Sequence, residues 1–584
     1  MNDTQADAVP NRYKLLIASF MALIAAGVGF AVRGALLKDW ANEFSFTMVE
    51  LGTITGGGLV GFGLTIIVCS FFADKLLGYK NLMLIAFVLH FVSVVITLLA
   101  PMAFEMYGKP GAYFCLGWGV FIFALGNGVC EAVINPLVAS IFTKEKTHYL
   151  NILHAGWPAG LIIGGIIAYL FCGDKAVIAH LDWKITLSLY LIPTVIYGIM
   201  VVKEVFPPSE TEAAGVSLGE MMKQFAAPLL LFLFVIHAMV GYVELGTDSW
   251  IANIMENVIG ENAFLLFIYT SSIMFVLRFF AGPIVERINP IGLLLISAVL
   301  GCVGLYWLGM ANTGIAIVAA ATTYGVGKTF LWPTMLGVVG ERFPRGGAIT
   351  MGTIGGIGML SAGWLGGPGI GYKQDYFASQ QLEQTDKELY LAFQSLKPKE
   401  DASGNEIPGE FVPNEKGFLI FPAVAGLDGA KKSILSDGAE ELNRRIGIEG
   451  KADKAGKAGK VSDDAKRLQA WWTALIPGEV AEGEHVYMPK WEAKEGAEPD
   501  TDGNVEMVGD EYYAAVKKKV DAAGIHGGQM ALKWTAAVPA VMALCYLILV
   551  FYFKAKGGYK QEVLHGEEPV GEHYTGGVEG PMEA

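Results

Sequence analysis

What most constrains this chain is a recurring feature: long runs with almost no charge, one after another along the sequence. A run of about 18 or more apolar residues reads as a membrane-spanning helix. Helices suit that role because lipid cannot satisfy backbone N–H and C=O groups, and a helix satisfies its own. Twelve such spans are expected: Tyr13–Leu37, Met48–Phe72, Leu82–Met102, Ala112–Phe142, Tyr149–Cys172, Ile185–Val202, Ala226–Leu245, Ala263–Ile284, Pro290–Met310, Gly314–Val339, Ala348–Ile370 and Ala531–Phe553.

The charge lies elsewhere. Of 42 Lys/Arg and 56 Asp/Glu in 584 residues, 20 and 29 fall between Tyr372 and Met530. That stretch reads as a water-exposed insertion between the last two spans. Its helix-like pieces TDKELYLAFQSL and DDAKRLQAWWTALI suggest a small helical domain, while EGKADKAGKAGK and KEGAEPDTDG read as loose. The net charge of −14 comes with no basic stripe, so no nucleic-acid partner is expected. The six cysteines sit in or beside apolar runs without a CxxC, which argues against a disulfide framework or a metal site. No cleavable signal peptide is expected, because the first apolar run is too long and lacks a small-residue cleavage pattern.

Orientation follows the Lys/Arg bias. With the N-terminus inside, Arg12, Lys14, Lys75, Lys80, Lys144, Lys146, Lys203, Lys223, Arg287, Arg342, Arg345, Lys554, Lys556 and Lys560 are cytoplasmic. Only Lys38, Lys109, Lys175 and Lys184 occupy the short outer loops. Both termini are then cytoplasmic and the insertion faces outward. The chain is expected to divide into a six-helix bundle (1–204), a cytoplasmic linker (205–225), helices 7–11 of a second bundle (226–370), the insertion (371–529), the last helix (530–554) and a cytoplasmic tail (555–584).

The two halves repeat each other. Glu131 precedes Pro136 by five residues in EAVINP, and Lys328 precedes Pro333 by five in KTFLWP. Asn135 and Trp332 stand just before those prolines. Glycine-rich spans follow in each half, AGWPAGLIIGG and MGTIGGIGMLSAGWLGG. The loops after the second and eighth spans also correspond: SFFADKLLGYK carries Asp74 and Lys80, and RFFAGPIVERINP carries Arg278, Glu286 and Arg287.

These loops resemble the signature of the major facilitator superfamily, although Ser70 stands where a glycine is usual. The stretch EAVINPLVASIF with THYLNILHAGWPAG resembles that superfamily's fucose–galactose–glucose/proton symporter branch, as do GYVELGTDSWIANIM and WPTMLGVVGERFP. The resemblance implies an all-α integral membrane fold of twelve helices in two pseudo-symmetric six-helix bundles. It implies a secondary transporter working by alternating access, with a monosaccharide as substrate and a proton as coupling ion. It also implies that Asp74, Lys80, Arg278, Glu286 and Arg287 form charge contacts between the halves on the cytoplasmic side.

A charge at the bilayer centre costs at least about 2.5–3.5 kcal/mol on insertion scales, so Glu131 and Lys328 need a reason. Either they are a buried pair holding the halves together, or they line a central aqueous cavity where Glu131 takes a proton and Lys328 pairs with it in one state. The resemblance implies that Glu131 is the branch's proton-linked glutamate. The branch's first-span acid is missing here, and Arg33 is the local charge in GFAVRGALL. His154 and Trp157 replace the amide side chains of the branch's fifth span. Three readings stay open: coupling rerouted through His154, another ion such as sodium, or no coupling.

Arg33 is expected either to gate by pairing with Glu244 or Asp248, or to snorkel to water. Glu244 and Asp248 lie four residues apart on one helix face, lining an outer vestibule or simply solvated. Trp157, Trp250 and Trp332 are candidates to stack on a sugar ring or are ordinary packing. Tyr324, one turn before Lys328, and Asn135 complete the substrate candidates; His237 reads as structural. No G-x-S-x-G, H-E-x-x-H or P-loop occurs, so no enzyme, cofactor or metal is expected. The alternatives are a transporter of an amino acid, nucleoside or drug, or a transporter-like sensor using the insertion. A monomer in a plasma or bacterial inner membrane is expected.

Overall fold

A computed structural model describes residues 9–44, 46, 48–172, 176–259, 263–401, 405–438, 441–442, 463–475, 478–480, 487–489, 510–562 and 564. The chain forms two compact units, Met1–Pro368 with Leu532–Ala584, and Gly369–Ala531. Among the described residues, eleven helices are long and apolar enough to cross a membrane, and Leu265–Arg278 is a shorter apolar helix.

The first half of the membrane unit is built on Arg12–Ala35, Met48–Phe72, Gly78–Leu98, Lys109–Ile141, Gly156–Phe171 and Leu191–Lys203. The second uses Pro228–Gly241, Ala263–Arg278, Ala281–Leu308, Gly314–Lys328, Gly347–Ser361 and Ala537–Ala555. Small residues set the closest approaches. A Cβ on Gly160 would land 2.8 Å from the Cα of Gly27, joining the first and fifth helices of the first half. A Cβ on Gly241 would land 2.8 Å from the Cα of Gly358, joining the corresponding pair in the second.

One expectation needs correction. The sequence reading puts Arg278 in the motif RFFAGPIVERINP, among charge contacts between the halves on the cytoplasmic side. In the structure one helix ends at Arg278, a turn follows at Phe279–Phe280, and a second helix, Ala281–Leu308, is interrupted at Asn289 (φ 56°, ψ 168°). Asn289 precedes Pro290, and the residue before proline is pushed out of the helical region. Its Oδ1 accepts the N–H groups of Ile291 and Gly292, both at 3.0 Å, and so caps the helix that follows. That interruption is eleven residues beyond Arg278, and Arg278 lies within the membrane unit at 1% exposure.

The second unit has its own core of Leu382, Leu389, Phe393, Leu427, Leu435 and Val520, with a smaller cluster of Ile434, Leu442, Leu468 and Trp472. The two helix-like pieces form helices at Lys387–Phe393 and Asp463–Leu475. Among the described residues, three two-stranded antiparallel sheets accompany them, which the sequence reading did not foresee. The stretches EGKADKAGKAGK and KEGAEPDTDG lie outside the described residues, as do Lys175 and most of the C-terminal tail.

Candidate functional site

Proline has no N–H, so a proline inside a helix leaves the carbonyl four residues earlier without its donor. Pro158 does this to His154, and Pro333 does it to Thr329. One side chain supplies both missing donors. Arg278 donates from Nη1 to the His154 carbonyl at 2.6 Å and from Nε to the Thr329 carbonyl at 2.9 Å. Its Nη2 pairs with Glu244 at 3.0 Å. The first contact crosses between the halves; the other two stay within the second. Glu244 reaches the guanidinium from a π-helical turn, Tyr242–Gly246, a wide turn that re-aims side chains and recurs at functional sites.

A hydrogen-bonded chain leads into this centre from the first half. Glu131 is 5% exposed and accepts a hydrogen bond from Asn135 Nδ2 at 2.6 Å. The side-chain Oδ1 of Asn135 accepts the Nε2–H of His154 at 2.8 Å. Glu131, Asn135, His154, Arg278 and Glu244 thus form one connected sequence of contacts. Beside it, Lys328 is 0% exposed and holds both oxygens of Asp248, at 2.5 and 2.7 Å. Its ammonium stands 5.2 Å from the Tyr324 ring, whose hydroxyl donates to the Val243 carbonyl.

The expected pair of Glu131 and Lys328 is not made in this structure. Asp248 lies on a helix of Lys328's own half, and Asn135 is one helical turn from Glu131; each charge takes the nearer partner. Glu244 is buried at 3% exposure, not solvated at an outer end. Arg33 neither pairs with Glu244 or Asp248 nor reaches water. It is buried within the first half, donates to Ser93 Oγ at 3.1 Å and to the Gly29 carbonyl, and lies 4.0 Å from the centre of the Phe123 ring. Among the described residues it has no carboxylate partner. Next to it a cluster that the sequence reading missed joins His90 to Tyr197 and Asn127. A histidine and an asparagine in apolar runs were the available signal.

The tryptophans part company. Trp332 packs on His237, with ring centres 4.6 Å apart, Trp157 lies beside Phe30, and the Trp250 indole donates to the Gly367 carbonyl. On the loop-bearing face, Asp74 accepts from Tyr79, from Thr211 and from the Ala348 N–H of the other half. Lys80 instead caps carbonyls of Val202 and Glu204 in its own half. Glu286 and Arg287 are exposed and form no ion pair among the described residues. Further bonds close this face between the halves: Thr147 Oγ1 to Glu341 at 2.6 Å, Asn151 to Thr334, and Lys146 to the Gly340 carbonyl; Tyr559 holds Glu341 from within its own half.

Two groups of helices, close-packed by glycine and joined by buried polar contacts, make up the membrane unit, and comparison decides the family. The family model described as Major Facilitator Superfamily matches residues 15–368. The chain belongs to that superfamily. It is similar to the cis,cis-muconate transport protein of Acinetobacter baylyi, at 23% identity over 388 residues, 61% of this chain and 88% of the relative. Its fold resembles that of the superfamily transporter FucP in the outward conformation, with a TM-score of 0.51 and 18% identity over 64% of this chain and 93% of FucP. It also resembles the proton:xylose symporter XylE bound to 6-bromo-6-deoxy-D-glucose, with a TM-score of 0.50 and 15% identity over 66% of this chain and 90% of XylE. As a superfamily member it is a multi-pass membrane transporter.

Proposed function

We propose that this superfamily member is a proton-coupled symporter of a small polar solute, with a monosaccharide as the first candidate. The observation that carries the coupling is the chain from Glu131 through Asn135 and His154 to Arg278, because it ties a protonatable carboxyl to the contact between the halves. With Glu131 ionised, Asn135 donates to it and accepts from His154. With Glu131 protonated, the favourable arrangement is the reverse: the Asn135 amide turns over, accepts the new O–H and donates to His154 Nε2. His154 then carries its proton on Nδ1. The loss or gain of a proton at Glu131 thereby reaches the residue whose carbonyl Arg278 holds.

In this reading twelve helices span the membrane, both termini and the closed loop face are cytoplasmic, and the monomer transports. The test is uptake of labelled sugars into proteoliposomes with an imposed pH gradient. Wild-type protein accumulates substrate when the outside is acidic. Glu131→Gln keeps exchange of substrate down its gradient but loses gradient-driven accumulation. Accumulation by that variant at the wild-type level overturns the coupling scheme.

A second reading of the substrate is favoured by Arg33, a buried cation with no carboxylate partner among the described residues. A carboxylated solute supplies the missing charge, and the relative from Acinetobacter baylyi carries the name of a dicarboxylate. Competition between sugars and dicarboxylates in the same assay separates the two.

A further inference from the structure

The unit Gly369–Ala531 carries half of the chain's charge, yet residues 417–427, GFLIFPAVAGL, contain none. They form the tip and one arm of a hairpin in which Glu415–Phe418 pairs antiparallel with Phe421–Ala425. Phe418 faces Phe421 across the ladder, so the turn consists of Leu419 and Ile420 alone. Two-residue hairpin turns call for positive φ and are usually built from Gly, Asn or Asp. Here Leu419 adopts φ 52°. A branched apolar side chain at that position is strained, and the strain returns no packing: Leu419 is 74% exposed, Ile420 93% and Phe421 55%. A turn that keeps apolar residues in water, in an unfavourable backbone conformation, is built for contact with something apolar.

The base of the hairpin indicates what. Phe418 and Phe421 pack around the Tyr372 ring, at 6.0 and 6.1 Å between centres. The Tyr372 hydroxyl donates to the Pro422 carbonyl at 2.7 Å, and its ring stacks on Tyr376. Tyr372 belongs to the helix Gly367–Thr385, which continues without a break from the apolar span through the turn Ala362–Gly366. It lies six residues after Gly366, about 9 Å of helix rise. It is also the last residue before Lys373, the first charge after that span. Aromatic side chains at such a position mark the membrane–water interface. The hairpin is therefore fixed to this helix beside Tyr372, one residue before the first charge that follows the apolar span.

We propose that the Leu419–Ile420 turn is a membrane-surface anchor, seated in the boundary between headgroups and acyl chains of the leaflet from which the Gly367–Thr385 helix emerges. Lipid fits this turn because the charge-free tip is short and its two ends are fixed by aromatic packing on a helix that follows an apolar span in the chain. The anchor would hold the second unit at the membrane while the transporter changes state. It does not depend on the substrate or the coupling ion.

The test uses the full chain in liposomes. Ile420→Cys is labelled with the polarity-sensitive fluorophore NBD on a background whose six native cysteines are replaced by alanine. Lys397→Cys, exposed in the other long hairpin, serves as the aqueous control. Ile420 touches little, so its replacement leaves the fold intact. At position 420 the expected emission is blue-shifted relative to 397, quenched at least about twofold by bromine-labelled lipid, and shielded from aqueous iodide. Iodide quenching equal to that at 397 overturns the proposal. So does a label shielded from iodide but unaffected by brominated lipid, which would place the turn on a protein partner or a second copy of the chain.

Discussion

Arg278 offers the sharpest test of how this membrane unit is held together. Arg278→Ala removes one guanidinium and leaves three acceptors without it: the Glu244 carboxylate and the His154 and Thr329 carbonyls. Neither carbonyl can fall back on its helix, because Pro158 and Pro333 have no N–H to offer. Removing one partner of a buried ion pair costs about 3–5 kcal/mol, because the remaining charge is stranded. The stranded carbonyls add to this, but the terms share one side chain and are not additive. Arg278→Ala is therefore expected to destabilise by at least about 3 kcal/mol. The pair Arg278→Met with Glu244→Gln strands no charge and is expected to cost only about 1–3 kcal/mol, from the unsatisfied carbonyls. Arg278→Lys keeps the charge but not a planar fork with donors in three directions, and should fall between the two. The measurement is reversible unfolding of purified protein in mixed micelles, each variant against wild type. A cost below about 1 kcal/mol for Arg278→Ala would refute the account, as would a double variant no more stable than the single one.

The loop-bearing face should open when Thr147→Val removes the hydroxyl that donates across the halves to the buried Glu341 at 2.6 Å. A bond to a charged group is worth about 1.5–3 kcal/mol, so alkylation of Asn151→Cys, which is buried between the halves, should speed up at least about tenfold; an unchanged rate would count against this closure. Gly241→Ala sets a Cβ against the Gly358 backbone and should destabilise by about 1–3 kcal/mol. Gly34→Ala, with open space around it, should be neutral or slightly stabilising in the same unfolding assay, and equal effects of the two would contradict the packing described. Lys328→Met leaves Asp248 without its cation and should lower uptake at least tenfold, about 1.4 kcal/mol or more. Adding Asp248→Asn should restore the yield of folded protein but not uptake, and full uptake by either variant would remove this pair from the mechanism.

Much of this protein was decided by sequence alone. Runs of apolar residues long enough to cross a bilayer can satisfy their backbones only as helices, so an all-helical membrane fold was legible in the sequence. The matching EAVINP and KTFLWP segments showed two related halves, the loops SFFADKLLGYK and RFFAGPIVERINP pointed to the superfamily, and the rarity of charge in the spans made Glu131, His154, Glu244, Asp248 and Lys328 candidates before any contact was known. Periodicity says which face of a helix a residue occupies; it does not say how two helices are turned and shifted against each other. That offset decided that Glu131 meets Asn135 and that Lys328 meets Asp248, when symmetry suggested they would meet each other. It also sent Arg33 into the interior of the first half. Arg278 was misplaced for a related reason: the resemblance put it among the charge contacts on the cytoplasmic side, while the offset of the helices turned it into the interior of the membrane unit. Pro158 and Pro333 were visible all along, each freeing a carbonyl. Only the tertiary fold brought those two carbonyls, from different halves, within reach of one guanidinium.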